Sequence, residues 1–299
     1  FVFFPIIFSI FIIAYNFHGK RFAIFSLFIS SLIFYAAHNF SYLFVFIASI
    51  IVNYYLGSAL SILSIKGDTK KAKPLFILAL LFNIGLLFIF KYYNFFVDVI
   101  SNKYFDPPSL QLVLPIGISF YTFQQIGYIF DSYKGKTTSC GFIEYASFVS
   151  FFPQLIAGPI VHHSDFISQI RSKFYSPIRS SYWSTGIMIF VFGLFKKIVI
   201  SDHLSRYITP FYNNLSSGVF CSITESWLST ISYSLQIYFD FSAYSEMAIG
   251  LGLLFGIKLP INFNSPYKKL NIISFWRSWN ITVSNFFRQN IYNFLGYET

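Results

Sequence analysis

Long apolar runs separated by short polar breaks recur along this chain, and they constrain its fold more than any other feature. Several runs approach the ~20 residues that a helix needs to cross a bilayer. Hydrophobic residues make up 55% of the 299 residues and charged residues only 11%, far below the roughly 25% of soluble domains. The runs cover residues 1–17, 22–37, 41–65, 74–90, 112–130, 142–160, 183–200 and 227–257. The sequence therefore predicts an all-α polytopic membrane protein with about seven to ten spans.

The basic residues lie mainly in short loops between these runs. A formal net charge of +10 would suit a nucleic-acid partner. However, the loops at 18–21, 66–73 and 134–136 are the kind of segment in which Lys and Arg accumulate on the cytoplasmic side of a membrane. Enough apolar sequence for two crossings separates each loop from the next. We therefore expect these loops in the cytoplasm, the N-terminus outside, and no nucleic-acid partner.

One apolar run contains residues that break helices. The stretch FVSFFPQLIAGPIVHH (148–163) includes Pro153, Gly158 and Pro159, and basic residues lie on both sides of it. If both flanks are cytoplasmic, the segment enters and leaves the membrane on one side. Such backbone is tolerated only where protein or a water-filled cavity satisfies its polar groups. The pattern predicts a re-entrant segment beside an internal chamber.

Gln236, Asp240 and Tyr244 recur at four-residue spacing and so share one face of a predicted helix. A carboxylate at membrane depth costs about 2.5 to 3.5 kcal/mol on insertion scales, so Asp240 is either functional or internally paired. The commoner arrangement is an orienting network in which Asp240 bonds to its neighbours or to an arginine of another helix. We assign these three residues to the lining of a site or to its scaffold.

Two pairs of residues interrupt apolar helices. Lys196 and Lys197 are interpreted as stems that snorkel to the cytoplasmic surface, with a site for an anionic group as the alternative. Gly252 and Gly256 have the small-xxx-small spacing of closely packed helices. We therefore expect both pairs to have structural roles.

The histidines and cysteines do not form a metal motif. His162 and His163 have no second ligand at metal spacing, and Cys140 and Cys221 suggest no disulfide framework. We expect the two histidines to lie in a loop, and we expect no metal site and no redox chemistry.

The last stretch, SFWRSWNITVSNFFRQNIYNFLGYET (274–299), is unusually polar for this chain. On a helical wheel, Arg277, Asn280, Ser284 and Arg288 fall within about 80° of one another. An amphipathic helix at the membrane interface would give the same wheel. Arg and Asn, in place of the Lys and Glu of ordinary surfaces, favour an inward-facing stripe, because Arg offers a fork to a carboxylate or phosphate.

Four stretches together resemble the membrane-bound O-acyltransferase family. They occur in the order typical of the family and extend over most of the chain. The resemblance is greatest to the bacterial branch that acts in alginate O-acetylation and in D-alanyl transfer to teichoic acids. The stretches are LPIGISFYTFQQIGYIFD (114–131), SFFPQLIAGPIV (150–161), QIYFDFSAYSEMAIGLG (236–252) and SFWRSWNITVSNFFR (274–288).

The resemblance implies a fold, a reaction and a location. The fold is a multi-helix bundle with re-entrant segments around a central funnel, and residues 1–299 would form a single domain. Because the chain begins at Phe1 and not at Met, we expect this domain to be incomplete at the N-terminus as well as at the C-terminus. The reaction moves an acyl group from a cytoplasmic thioester, acetyl-CoA or an acyl carrier protein, to a hydroxyl of a cell-envelope polysaccharide. No bound cofactor is expected, and the location is the bacterial cytoplasmic membrane.

The resemblance also implies two polar hallmarks. The first is Asn, His or Asp after a Trp-Arg-x-Trp motif; Asn280 occupies it and is the expected catalytic residue, with Arg277, Ser284 and Arg288 lining or supporting the site. The bacterial branch usually has His there, so Asn leaves the acceptor open. The second hallmark is a His in a later apolar helix, expected beyond Thr299. The chain alone is therefore predicted to be inactive.

Alternatives to polysaccharide acetylation remain open. D-alanyl transfer to teichoic acid would use an acidic carrier protein, which the basic loops would attract. An intramembrane carboxylate and a chamber would also suit a transport subunit, and a non-catalytic assembly subunit is a further reading. The expected partners are a cell-envelope polysaccharide, a periplasmic or extracellular acceptor protein, membrane lipid and an acidic acyl carrier protein.

Overall fold

All regular secondary structure in the described part of this protein, seen in a computed structural model, is helical. The described residues are 2–101, 108–110, 112–137, 139–173, 180–293 and 296, and they contain no strand. The helices are α1 (Phe3–His18), α2 (Lys20–His38), α3 (Phe40–Ile65), α4 (Thr69–Leu87), α5 (Tyr93–Ile100), α6 (Ile118–Tyr133), α7 (Phe142–Ser150), α8 (Phe152–Leu155), α9 (His163–Ser168), α10 (Ser180–Phe195), α11 (Asp202–Ser216), α12 (Ile223–Leu254), α13 (Ile272–Trp276) and α14 (Ile281–Phe287). The predicted all-α class is confirmed.

Within the described residues, four continuous helical segments are long and apolar enough to cross a membrane. They are Lys20–His38, Phe40–Ile65, Thr69–Ile100 and Ser181–Ser216, and α1 is a shorter apolar helix. The last two segments contain π-helical turns at Phe88–Tyr92 and Lys196–Ser201. The count is lower than the predicted seven to ten, because runs such as 142–160 are divided into short helices by their Pro and Gly residues.

The outer faces of the spanning helices carry large apolar side chains. Phe44 on α3 and Leu81 on α4 are 63% and 61% exposed, and many other aromatic and aliphatic residues are similarly open. A contiguous apolar exterior of this kind is unfavourable in water and favourable against lipid tails. The protein is therefore a membrane protein by its surface as well as by its helix lengths.

The chain divides into two compact units, which are described separately. The first consists of Phe1–Ile156, Ile160–Phe174 and Asn285–Thr299, and the second of Ala157–Pro159 and Tyr175–Ser284. This division does not test the prediction of a single acyltransferase domain over residues 1–299, which stays a prediction.

A buried polar network joins three helices of the first unit. Ser49 and Asn53 on α3 both donate hydrogen bonds to the side-chain oxygen of Gln125 on α6, Ser49 at 2.7 Å. The Asn83 side chain on α4 donates to the side-chain oxygen of Asn53, Oδ1, at 2.7 Å. All four side chains are at most 1% exposed. Because lipid offers no hydrogen bonds, the pairing fixes the mutual positions of α3, α4 and α6.

Most of the broken apolar segment, residues 148–156 and 160–163, belongs to the first unit. Every residue from Phe148 to Leu155 is buried. The Gln154 side chain donates to the Phe148 carbonyl at 3.0 Å, and the Phe152 backbone N–H donates to Ser31 Oγ at 3.2 Å. Protein therefore satisfies this irregular backbone, which is the condition that the sequence analysis set for it.

In the second unit, α10 and α12 approach each other closely through glycine. A Cβ added to Gly250 would lie 2.6 Å from the Gly186 carbonyl oxygen, and one added to Gly186 would lie 2.9 Å from the Gly250 carbonyl oxygen. The predicted helix-packing role of Gly252 and Gly256 is wrong. Gly256 ends α12 with a positive φ of 77°, and the Gly252 carbonyl accepts the Ile257 N–H of this same helix end.

We predict that Gly250→Ala destabilises the second unit by about 1 to 3 kcal/mol, because the added methyl overlaps backbone atoms that cannot move independently. Thermal unfolding of the protein in detergent measures the effect. Gly85→Ala on α4 is the matched control, since a Cβ there meets no atom within 4 Å. The control should leave the melting temperature unchanged or raise it, because Ala favours helix more than Gly does. Equal melting temperatures for the two variants would contradict the close approach.

Candidate active site

Asn280 lies in a sharp turn between α13 and α14. Its φ is 43°, in the left-handed region that few residues other than glycine adopt. Its carbonyl accepts the Ser284 N–H at 3.1 Å, so the turn leads directly into α14. Its side-chain oxygen is buried and has no hydrogen-bond partner within the described parts of the chain.

The prediction that residues 274–288 form one continuous helix is wrong, because this turn interrupts it. Residues 277–280 are not helical, and α13 contains only five residues, so Arg277 and Asn280 do not continue the face of α14. The wheel assumed an uninterrupted helix, and the left-handed Asn280 breaks it. The four polar residues are therefore not one stripe of one helix.

Asn262 holds this turn from the segment that follows α12. Its backbone carbonyl accepts the Ile281 N–H at 2.9 Å. Its side-chain oxygen accepts the Thr282 hydroxyl at 2.5 Å and the Thr282 N–H at 3.4 Å. A further bond joins the Asn264 N–H to the Ser278 carbonyl at 3.0 Å. Asn262 has no local sequence signal, because its contact with Thr282 spans 20 residues and does not follow the periodicity of a helix or strand.

An aromatic cluster places the turn against α12. The Trp279 ring lies 5.1 Å from Phe263 and 6.0 Å from Tyr238 on α12, between ring centroids. Phe241, on the next turn of α12, lies 5.1 Å from Phe263. Asn280 therefore follows a tryptophan that packs beside the part of α12 carrying Asp240.

Asp240 forms an ion pair with a lysine. Lys197 Nζ lies 2.6 Å from Asp240 Oδ1 and 2.9 Å from Asp202 Oδ1. Ser201 Oγ lies 3.4 Å from the same Asp240 oxygen. The structural interpretation of Asp240 anticipated an arginine as one possible partner, but Lys197 occupies that position. The lysine lies in the π-helical turn between α10 and α11, a feature often found at functional sites.

Lys196 is also paired, with Glu246 on α12. Both ammonium groups therefore meet carboxylates of α12, and the interpretation that Lys196 and Lys197 snorkel to the surface stays a prediction. The sequence separation of these partners, 50 and 43 residues, explains why the sequence did not reveal the pairs.

The other predicted site residues have different surroundings. Gln236 and Tyr244 lie on continuous α12 with Asp240, as the four-residue spacing predicts, and both are half-buried. Arg277 is exposed, Ser284 is half-buried on α14, and Arg288 begins a π-helical turn after α14. Arg288 belongs to the first unit and the other five to the second. Their roles in catalysis stay predictions.

His163 is buried in the first unit, contrary to the expected loop. It begins α9, is 2% exposed, and its Nε2 lies 3.2 Å from the Cys140 sulfur. Burial lowers the pKa of His163 to about 4 and raises the pKa of the Cys140 thiol to about 12. A neutral imidazole against a neutral thiol is a packing contact and not an activated nucleophile.

His162 faces Asp131, with 3.9 Å between His162 Nδ1 and Asp131 Oδ2. The nearby Asp131 carboxylate favours the protonated imidazole and raises the pKa of His162. Both residues line a polar recess of about 570 Å³ in the first unit, together with Lys134, Lys136, Ser164, Asp165, Gln289, Asn290 and Asn293.

Comparison with known proteins shows the family of the chain. The sequence pattern that defines the membrane-bound O-acyltransferase family matches residues 131–298, more than half of the chain, including the Asp240 helix and the Asn280 turn. The chain belongs to the membrane-bound O-acyltransferase family.

Relatives within the family act on polymers of the cell envelope according to their names. A peptidoglycan O-acetyltransferase of Helicobacter pylori is 43% identical over 90% of this chain and 55% of its own length. The probable alginate O-acetylase AlgI of Pseudomonas aeruginosa is 35% identical over 99% of this chain and 56% of its own. A teichoic acid D-alanyltransferase of Bacillus subtilis is 28% identical over 62% and 46%. The chain spans about half the length of the curated relatives it matches.

We predict that Lys197→Met lowers the stability of the protein by about 1 to 2 kcal/mol, because Asp202 and Asp240 then face each other without a cation. The figure is modest since the Lys197 and Asp240 side chains are 40% and 47% exposed. Thermal unfolding in detergent tests it, with Lys71→Met as control, because Lys71 is 77% exposed and lies 3.7 Å from Asp68. Lys197→Arg should retain most of the stability. If Lys197→Met lost no more stability than Lys71→Met, the ion pair of Lys197 with Asp240 would contribute no stability.

We predict a pH dependence from His162. Because its folded pKa is raised, the contact with Asp131 stabilises the protein below the unfolded pKa of about 6.5 and is lost as pH rises through the folded value. His162→Gln should therefore reduce the decline in melting temperature between about pH 6 and pH 8. His38→Gln, which removes an exposed histidine away from Asp131, is the control. If the melting temperature of His162→Gln depended on pH as that of the unsubstituted protein does, the stabilising contact between His162 and Asp131 would be contradicted.

Proposed function

We propose that the complete protein containing this chain is a membrane O-acyltransferase that moves an acetyl group from a cytoplasmic thioester to a hydroxyl of a cell-envelope polysaccharide. The observation that carries the proposal is Asn280: it follows the Trp-Arg-Ser-Trp motif, and its backbone is held in a strained turn with its side-chain oxygen buried and unpaired. Strain and unpaired polar groups of this kind concentrate at functional sites. The names of the relatives favour acetyl as the acyl group and a cell-envelope polymer as the acceptor.

The proposed reaction is transfer of an acyl group from sulfur to oxygen. The acceptor hydroxyl attacks the thioester carbonyl, a C–O bond forms, the C–S bond breaks, and the hydroxyl proton is finally carried by the departing thiol. Negative charge develops on the carbonyl oxygen in the tetrahedral intermediate. The site must therefore supply a hydrogen-bond donor for that oxygen and a fixed position for the hydroxyl.

Asn280 can position the reacting groups, but it cannot transfer a proton. Its amide is neutral at every accessible pH, so it neither takes nor gives up the hydroxyl proton. Its NH₂ group can donate to the developing oxyanion, and its carbonyl oxygen can accept from the hydroxyl. Loss of one oxyanion donor typically lowers kcat by about 10²- to 10³-fold.

The remaining predicted residues take supporting roles in this proposal. Asp240 fixes α12 through Lys197, and Gln236 and Tyr244 share its helix. Arg277 is exposed and Arg288 half-buried, so each guanidinium is accessible to an anionic group of the donor. Ser284 supports the first turn of α14 through its bond to the Asn280 carbonyl.

The proposed donor is acetyl-CoA or an acyl carrier protein, used as a substrate and not held as a cofactor. The proposed location is the bacterial cytoplasmic membrane, with the N-terminus outside and the basic loops in the cytoplasm, where they would attract an acidic carrier. The acceptor is a cell-envelope polysaccharide or a periplasmic or extracellular protein that relays the acyl group.

A second candidate is D-alanyl transfer to teichoic acid. The observation that favours it is the similarity to the Bacillus subtilis D-alanyltransferase. The lower identity and coverage of that relative make acetyl transfer the preferred proposal. Incubating membranes that contain the complete protein with radiolabelled acetyl and D-alanyl thioesters, and measuring label in each polymer, distinguishes the two.

We predict that Asn280→Ala in the complete protein lowers kcat for acetyl transfer by about 10²-fold or more, because a donor to the oxyanion is removed. Asn280→His should retain much more activity, since His also tolerates the left-handed backbone and donates a hydrogen bond. Label incorporated from an acetyl thioester measures both. The matched control is Asn264→Ala, because Asn264 is an exposed asparagine near the same turn and donates to the Ser278 carbonyl through its backbone N–H. Full turnover by Asn280→Ala would remove Asn280 from the site.

A further inference from the structure

Asn262 carries an interaction pattern that the proposed function leaves unexplained. It is 1% exposed, yet it lies in the irregular segment between α12 and α13. Two of its oxygens, the backbone carbonyl and Oδ1, are engaged with Ile281 and Thr282. Its amide nitrogen has no hydrogen-bond partner in any described part of the chain.

The orientation of the Asn262 amide is determined by its partners. The backbone N–H of Thr282 can only donate, so the side-chain atom that it meets must be the oxygen. The unpaired atom of Asn262 is therefore the NH₂ group. Leaving a buried donor unsatisfied costs about 1 to 3 kcal/mol, so a structural residue alone would favour a side chain without it.

The contacts of Asn262 and Asn264 lie on either side of Asn280. The Ile281 N–H that Asn262 accepts belongs to the peptide bond that follows Asn280, and Thr282 is the next residue after Ile281. On the other side, Asn264 binds the carbonyl of Ser278. A left-handed non-glycine residue persists only where its surroundings over-determine it, and these bonds are the surroundings.

We propose that Asn262 is a positioning residue of the acyl-transfer site, which holds Asn280 in its left-handed turn through Ile281 and Thr282. The proposal rests on the proposed function, since Asn280 is the residue being positioned. Asn262 acts through the turn and not on the substrate, so its effect on the reaction should appear only while Asn280 is present.

The test is a coupling measurement in the complete protein. Asn262→Ala should lower kcat for acetyl transfer by about 10- to 100-fold with little change in KM, as supporting residues behind a site typically do. In an Asn280→Ala background the same Asn262→Ala change should have less than about threefold further effect, because the positioned group is already absent. A purely structural role would lower activity by the same factor in both backgrounds, and that result would overturn the proposal.

A second pair of variants avoids the risk that Asn262→Ala fails to fold. Thr282→Val removes only the hydroxyl that donates to Asn262 and keeps the size of the side chain, while Thr282→Ser keeps the hydroxyl. We expect about a 10-fold lower kcat for Thr282→Val and rescue to within about threefold by Thr282→Ser, at melting temperatures within a few degrees of the unsubstituted protein. Equal kcat values for the two variants would count against the positioning role.

The outcomes also separate this inference from the function on which it rests. If the complete unsubstituted protein transfers neither acetyl nor D-alanyl groups, the proposed function fails. If it transfers acetyl normally and the Asn262 and Thr282 variants do the same, the function stands and the positioning role of Asn262 is refuted.

Discussion

The requirement that polar groups find partners inside the protein shapes both units of this chain. Lipid supplies no hydrogen bonds, so a polar side chain on a spanning helix is satisfied by its own helix, as Ser31 is by the Leu27 carbonyl, or by another part of the protein. In the first unit this produces the network of Ser49, Asn53, Asn83 and Gln125. In the second it produces carboxylate–lysine pairs between α12 and the turn after α10. Apolar side chains then fill the outer faces without needing specific partners.

In the second unit, the close packing of α10 against α12 is what allows the ion pairs between them to form. A Cβ on Gly193 of α10 would lie 2.8 Å from the Ala243 carbonyl oxygen of α12, so the two backbones nearly touch at this level. Lys197 lies about one turn beyond Gly193, and Asp240 about one turn before Ala243. The small residues thus bring the helix axes close enough for the charged side chains beside them to meet.

The sequence predicted what depends on composition and local periodicity. It predicted the membrane class, the helix that carries Gln236, Asp240 and Tyr244, and a broken segment that protein must cover. It did not predict the break at residues 277–280, because a wheel assumes a continuous helix. Nor did it predict the partners of Lys197 or the role of Asn262, since these depend on which distant segments become neighbours. The prediction of a second hallmark histidine beyond Thr299 stays a prediction.

The left-handed backbone at Asn280 limits which chemistry the position can host. Among residues with a side chain, Asn, Asp and His enter this conformation with the least steric penalty, and β-branched or bulky residues are strained there. These are the same three residue types that the family resemblance implied for this position. Sterics therefore favour an amide, a carboxylate or an imidazole at this position before any requirement of catalysis applies, although Ser265 shows that a hydroxyl side chain also enters this conformation.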